Sequence, residues 1–338
     1  MDRAGQLGYD WLLNLEMTMK RLAFVAAMFL AACSSNSSNG SGPDAGGNGS
    51  VDGGGNTTDG GGNGAKPIIF TIVMENHDYA EIVGVTTDAP YINGLIDQYG
   101  LATNYKDTGH PSLPNYLNMI SGDNQYPGIV DVGPNQTPYF PSASDNLGHQ
   151  MAVAGITWRS YQEDMGTPCR LTDNGNYATK HDPFLYFDNI QNGANDLCAN
   201  TSVDFSQFAA DLASNDYRYM WITPNLLNDG HNPTNDPVKG LKQSDTWLST
   251  EIPKIMDSDG YRAGGVIFLT WDEAEGRTNL DFDRIPMIII SNRIKSAGMT
   301  SDTAYTHQSY LATVEDMLGL DRLDTVASAP NTLEFLTP

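Results

Sequence analysis

A few short stretches of this chain carry side chains able to do chemistry. In GHPSLPNYLNMISGD, Gly109 to Asp123, Ser112 stands between Pro111 and Pro114, just after His110 and just before a helical stretch. Two flanking prolines are costly in a plain loop and suit a hydroxyl that must be held still. Read as the N-cap of a helix starting at Leu113, Ser112 puts Pro114 in the first turn, where a missing N–H costs nothing. The hydroxyl then lies at the positive end of the helix, beside free backbone N–H groups. That setting favours an alkoxide and an incoming phosphate oxyanion. A nearby divalent cation would lower the hydroxyl pKa further. A serine N-cap by itself is ordinary, so its meaning depends on what faces it.

Several acids and histidines are candidates to face it. Glu75, Asn76 and His77 follow the apolar run IIFTIVM. Asp229 and His231 close the stretch PNLLNDGH, Asp272 and Glu273 follow VIFLTW, and His307 precedes a helical stretch. Each alone has a bland explanation as a helix cap, a loop acid or a surface or core histidine. Their joint occurrence after separate predicted strands is the signal, because oxygen and imidazole ligands drawn from several segments are how a metal site is built. Oxygen-rich ligation suits Ca, Mg or Mn at least as well as Zn.

These side chains need a scaffold. Ile68–Met74 is a continuous apolar run, as expected of a strand buried on both faces. Ile156–Tyr161, Tyr217–Thr223, Val266–Trp271 and Ile285–Ile290 also read as strands. Ile92, Leu95, Ile96 and Tyr99 share a helical face that Gly100 is expected to end, and Leu113, Tyr116, Leu117 and Ile120 share another. Further helices are expected around Leu147–Ala154, capped by Ser144, around Phe205–Leu212, over Ser244–Met256 with Pro253 kinking or ending it, and over Tyr310–Leu318 before Gly319. Strands alternating with helices predict an α/β fold with a mostly parallel central sheet and helices on both faces. In such sheets ligands bind outside the carboxyl ends of the strands, where the candidate residues fall. Two Asn-, Asp- and Pro-rich loops, about 123–143 and 162–200, are expected to cover that face.

The chain has 338 residues, and its amino end reads as targeting sequence. Lys20 and Arg21 precede the short apolar run Leu22–Leu30, a secretory signal too short for a bilayer span. Leu30-Ala31-Ala32-Cys33 resembles a bacterial lipobox, in which the Cys receives lipid; an ordinary signal peptide with a chance Cys is the other reading. Residues 1–33 are thus expected to be a signal, with the true start at Met19 or Met17. Residues 34–65, almost wholly Ser, Asn, Gly, Asp and Thr, read as a disordered tether, and 66–338 as the folded domain. Ser34 after the Cys favours the outer membrane or cell surface, by resemblance to diderm sorting rules. A net charge of −23 argues against a nucleic-acid partner. Cys169 and Cys198 are an even pair in an exported domain, expected to form one disulfide, with two free buried thiols as the alternative.

At this point the chain resembles the bacterial and fungal phosphoesterases that include acid phosphatases and phosphatidylinositol-3-phosphatase-like proteins. Those are related to the non-haemolytic phospholipases C and belong to the wider alkaline-phosphatase-like superfamily. The stretches that carry the resemblance run in order through 66–320: IVMENHDYAEIVG, APYINGLIDQYGLATNY, GHPSLPNYLNMISG, WRSYQEDM, HDPFLYF, TPNLLNDGH, FLTWDEAEG and THQSYLATVEDMLGL. It implies an alkaline-phosphatase-like fold and the following roles. Ser112, in the pattern P-[ST]-x-P-N, matches the covalent nucleophile. Glu75, Asn76, Asp272 and Glu273, with Asp229, match metal ligands. His110, His231 and His307 are implied as catalytic, and Asn76, Asn115, His181 and Arg159 as substrate contacts. Tyr161 and Glu163, in WRSYQEDM, are candidates to shape the pocket beside Arg159.

The chain departs from the wider superfamily in having Asp272-Glu273 where an Asp-His pair is common, and Glu75-Asn76 where a lone Asp is common. One divalent metal with histidines in place of a second fits those departures. The expected activity is metal-dependent hydrolysis of a phosphate monoester through a phosphoserine on Ser112, with a phosphorylated small molecule or lipid as substrate. A phosphodiesterase of the phospholipase C kind is the alternative. A non-catalytic surface binder would be expected to lack Ser112 or a metal carboxylate, and the chain has both.

Overall fold

The computed structural model describes residues 67–125, 130–136, 141–231, 236–276 and 283–338. The expected signal, Cys33 and the tether lie outside the described residues. Strands β1 (Ile69–Met74), β2 (Gly100–Lys106), β3 (Trp158–Gln162), β4 (Ser202–Asp204), β5 (Tyr219–Thr223), β6 (Val266–Trp271), β7 (Arg284–Ile290) and β8 (Met299–Ser301) form one sheet in the order β4-β3-β5-β1-β6-β7-β2-β8. The two-residue β9 (Tyr305–Thr306) pairs beside β2. Every described pairing is parallel except the two made by β7, with β6 and with β2. The expected mostly parallel sheet is therefore present.

The apolar runs explain the centre of the sheet. All residues of β1, β5 and β6 are buried, so both faces of these strands are covered. The main helices are α1 (Pro90–Gln98), α2 (Ser112–Ser121), α3 (Leu147–Val153), α4 (Phe208–Ser214), α5 (Pro237–Met256) and α6 (His307–Leu318). α2 packs on α6, and α1 on α5. Thr71 of β1 and Tyr219 of β5 both hydrogen-bond the Tyr310 hydroxyl, which fixes α6 to the middle of the sheet.

Several expected boundaries shift for local reasons. Gly100 does not merely end α1; it opens β2, and a Cβ there would collide with Phe335 and Ile294. The strand was hidden because GLATNYK has no continuous apolar run. Ser112 is the first residue of α2, with Pro111 at the cap position. Asn146, not Ser144, caps α3, accepting the His149 N–H at 3.0 Å. α5 begins seven residues earlier than Ser244, at Pro237 behind the Asp236 cap, and continues past Pro253. A proline in the last turn interrupts few hydrogen bonds, so the helix tolerates it. Cys169 and Cys198 are joined in a disulfide, with Cα atoms 5.3 Å apart.

Candidate active site

The backbone first draws three segments together at the carboxyl ends of the central strands. Glu75 N–H donates to the Asp229 carbonyl at 2.8 Å, and Asp272 N–H to the Met74 carbonyl at 2.9 Å. Asn76 N–H donates to Asp272 Oδ1 at 3.2 Å. Parallel β5, β1 and β6 are adjacent, so their following residues meet by register alone. α2 then brings Ser112 to the same place from a fourth segment.

Ser112 is 1% exposed. Its Oγ lies 3.1 Å from Glu273 Oε1, 3.2 Å from Glu75 Oε2 and 3.5 Å from Asn76 Oδ1. One hydroxyl has one proton, so it can satisfy only one of these acceptors at a time. Asn76 Nδ2 donates to Glu273 Oε1 at 2.8 Å. Tyr116, one helical turn beyond Ser112, donates to Glu75 Oε1 at 2.7 Å. Lys180 Nζ approaches Ser112 Oγ at 3.5 Å.

The histidines divide into three groups. His181 is buried, with Nε2 3.1 Å from Glu75 Oε1 and Nδ1 4.0 Å from Asp229 Oδ2, and its ring stacks on Tyr116. His110 and His231 are partly exposed at the rim. His110 Nδ1 is 2.5 Å from Glu273 Oε2, and His231 Nδ1 is 3.7 Å from Glu75 Oε2. His307 behaves differently from its expected role. Its Nε2 donates to the Asp272 carbonyl at 2.6 Å, which leaves Nδ1 to accept the Tyr105 hydroxyl at 3.0 Å. Burial pushes its pKa down to about 4. Both ring nitrogens are thus engaged, by Asp272 and Tyr105, and the ring is fully buried.

Two expected substrate contacts are engaged within the fold. Asn115 Oδ1 accepts from Thr108 N and Oγ1, both at 2.9 Å, and its Nδ2 donates to the carbonyls of Gly109 and Pro111. The side chain is spent on shaping the turn that presents Ser112. Arg159 points away from the cluster: its guanidinium binds Asp211, Gln207 and the Asn200 carbonyl and covers Tyr217. β3 alternates, so Ser160 and Gln162 take the face toward His181 while Arg159 and Tyr161 meet at Asp211. Glu163 organises the loop after β5 through Asn225 and Asn228.

The electrostatics of the cluster are lopsided. Burial pushes Asp272 and Asp229 well above the usual carboxylate range, and the neighbouring Glu75 pushes them further. Burial and Glu75 likewise push Glu273 up to about 7. Burial alone would raise Glu75 too, but His181, Lys180 and His231 outweigh it and hold that carboxyl well below its ordinary value. Burial opposes the charge on Lys180, yet Glu75 and Asp131 raise its pKa overall.

Among the described residues, no three His, Cys, Asp or Glu side chains already stand as a closed metal cage. The chemistry of the pocket nevertheless suits a hard cation. Asp229 Oδ2 and Asp272 Oδ2 are buried with no hydrogen-bond partner among the described residues. Oxygens of Glu75, Asn76 and Glu273 crowd one hydroxyl. Lys180 and the histidines offset part of this negative charge, and protons or a positive ion would offset the rest.

Four residues that touch this cluster or the turn beside it were not candidates from the sequence. Lys180 directly precedes His181, in a chain with only 18 Lys and Arg against 41 Asp and Glu; that scarcity beside a candidate histidine was a usable signal. Tyr116 follows Ser112 at helical spacing. Asp107 is mostly buried, its carboxyl pushed up to about 6 by burial, and it accepts from Gly109 N and Ala274 N. It thereby ties the Ser112 turn to the Glu273 loop. Asp131, in a long polar loop, carried no signal at all.

Comparison with known proteins places this architecture. The model of the phosphoesterase family matches residues 85–321. The chain is 30% identical to the probable acid phosphatase of Kluyveromyces lactis, over 79% of this chain and 62% of that protein. It is 26% identical to the phosphatidylinositol-3-phosphatase of Mycobacterium tuberculosis, over 78% of this chain and 80% of that one. Among solved structures, a protein in the alkaline phosphatase superfamily from Vibrio parahaemolyticus superposes with a TM-score of 0.54 at 14% identity. That match covers 81% of this chain and 71% of the other, and it speaks for the fold.

Proposed function

This chain belongs to the phosphoesterase family, and we propose that it is a divalent-metal-dependent phosphate monoester hydrolase working through Ser112. The observation that carries the reading is the Ser112 hydroxyl, buried at the start of α2 within 3.1–3.5 Å of two carboxylates, an amide and a lysine. Both curated relatives bear the word phosphatase in their names, which supports a monoester over a diester.

Glu75, Asn76, Asp272 and Glu273, with Asp229, are the residues that would hold the cation. When bound, it would neutralise phosphoryl charge and favour the serine alkoxide. The chain's own groups do the rest. Glu273 Oε1, 3.1 Å from Ser112 Oγ, is placed to take the Ser112 proton. The alkoxide attacks phosphorus in line, the P–O bond to the leaving group breaks, and Ser112 carries the phosphoryl. Lys180 and the N-terminus of α2 meet the equatorial oxygens. His231, at the exposed rim, gives a proton to the leaving oxygen and later takes one from the water that releases phosphate. His110 is held by Glu273 and flanks the same opening. His181 supports Glu75 from beneath. His307 and Asn115 act through the residues they position.

The test compares p-nitrophenyl phosphate with bis-p-nitrophenyl phosphate, with and without chelator, using the purified chain and Ser112→Ala. Chelator-sensitive monoester turnover that drops at least about 10³-fold in Ser112→Ala is expected. Diester turnover alone would favour a phosphodiesterase or phospholipase C, and full activity in Ser112→Ala would overturn the nucleophile. We also propose that lipid on Cys33 anchors the enzyme at the outer membrane or cell surface, with 34–65 as tether. Incorporation of labelled palmitate, lost in Cys33→Ala, checks this.

A further inference from the structure

A carboxylate already occupies the place where this reading puts phosphoryl oxygens. Asp131 Oδ1 accepts the backbone N–H of Leu113 at 3.0 Å. Its Oδ2 takes the Lys180 ammonium at 2.6 Å. Leu113 N–H is one of the donors at the N-terminus of α2 that no helical carbonyl can satisfy. It directly follows the nucleophile, and Lys180 Nζ is 3.5 Å from Ser112 Oγ. The two donors that flank Ser112 are therefore bridged by the two oxygens of one acid. A carboxylate and a phosphoryl group present similar pairs of anionic oxygens to such donors.

We propose that Asp131 is an internal mimic of the phosphoryl group, which the substrate displaces from Leu113 N–H and Lys180, so that Asp131 sets the affinity for phosphate esters. The inference rests on the proposed function and adds what governs entry to its site. Three features make displacement feasible. The Asp131 side chain is 29% exposed and Lys180 20%, so the released carboxylate has water to move into. Asp131 sits in a loop, while its partners sit on α2 and beside the anchored His181, so the mimic can leave and the seat stays. Lys180 Nζ also lies 3.5 Å from Ser112 Oγ, so it keeps a contact at the site after Asp131 departs. Exchanging Asp131 for a phosphate ester trades one anion for another at the same two donors.

A different role for Asp131 would be a brace that holds Lys180 toward Ser112. The two roles predict opposite signs. If Asp131 is a mimic, removing it tightens phosphate binding; if it is a brace, removal weakens it. The experiment titrates inorganic phosphate into the full chain, its Asp131→Ala and Asp131→Asn variants, and Lys180→Ala. It uses calorimetry without substrate and, separately, competitive inhibition of monoester turnover.

The expected result is a phosphate affinity about fivefold to tenfold tighter in Asp131→Ala, the scale of losing one competing ion pair, with a parallel fall in KM. Asp131→Asn keeps an acceptor for Leu113 N–H, so its gain is smaller, and it serves if the alanine variant does not fold. Lys180→Ala weakens phosphate binding. Unchanged or weaker phosphate binding in the Asp131 variants overturns the inference. The calorimetric arm reads the seat without turnover, so an inactive wild type would sink the proposed function and leave this test readable.

Discussion

Asp182 and Asp272 are both fully buried acids in this molecule, and they are treated in opposite ways. Asp182 accepts from Ser160 Oγ at 3.2 Å, from Ser202 Oγ and from the Phe184 backbone. Asp272 accepts the Asn76 N–H on Oδ1 and is eased by the Ser112 hydroxyl and Lys180, but burial, Glu75 and Glu273 outweigh them. One region gives its acid hydroxyls and amides; the other gives its acid more acids. The fold can satisfy a buried carboxylate where it needs to, and the crowding of acids around Ser112 is what the proposed cation would relieve.

The difference between the two acids should show most in activity. Glu75→Gln and Asp272→Asn should each lower kcat/KM by about 10² to 10³, the range for losing a group that stabilises charge at a reacting centre. In chelator, Asp272→Asn should not lower the melting temperature, because it removes a carboxyl that its neighbours repel. A clear loss of stability would show Asp272 to be an ordinary structural acid. Thermal melts with each variant check both statements.

Next in size is a pH effect. Glu273 is pushed up to about 7 from an ordinary 4.5, chiefly by burial. A folded value above the unfolded one means that the native state holds more protons between those values, so stability falls as pH rises through them. In chelator, the melting temperature should therefore rise by about 3 °C or more as pH drops from 8 to 6.5, with Asp229 and Asp272 adding in the same direction. His307, pushed down to about 4, opposes this weakly at the lower end of the window. A saturating divalent cation should reduce the slope, since it replaces the protons at the cluster, and leave the part due to Glu315, which burial also pushes up to about 7. A slope of the other sign in chelator would refute the lopsided charge.

Smaller effects belong to the satisfied regions. Asp182→Ala leaves the Ser160 and Ser202 hydroxyls and the Phe184 N–H without their acceptor. It should cost about 1–3 kcal/mol in denaturant unfolding, with kcat/KM within about threefold for protein that folds. Arg159→Ala should cost about 1 kcal/mol and leave kcat/KM within about twofold. A tenfold rise in KM would restore Arg159 to the substrate pocket.

Much of the scaffold was legible. The apolar runs at Ile68–Met74 and Val266–Trp271 gave the central strands almost to the residue, because strands buried on both faces admit few polar positions, here one Thr each. β2 was missed because its polar residues sit near one end of the sheet. At the site, Glu75, Asn76, Ser112, Asp229, Asp272 and Glu273 do converge. Arg159 looked no different in sequence from a pocket residue; a one-residue step along β3 decides which face it takes.

The sequence by itself determined which residue types stand at strand ends, the proline-clamped serine before a helix, the surplus of acid and the family. Those are local properties, set by periodicity, turn chemistry and composition. Only the tertiary structure decided which partners they meet. Ser112 and Glu273 are 161 positions apart, and their contact depends on the strand order β5-β1-β6 and on the packing of α2. The same structure turned His307 and Asn115 into supports and brought in Lys180 and Asp131. Imidazoles, amides and ammonium groups have the same chemistry wherever they stand, and only burial and neighbours assign them a task.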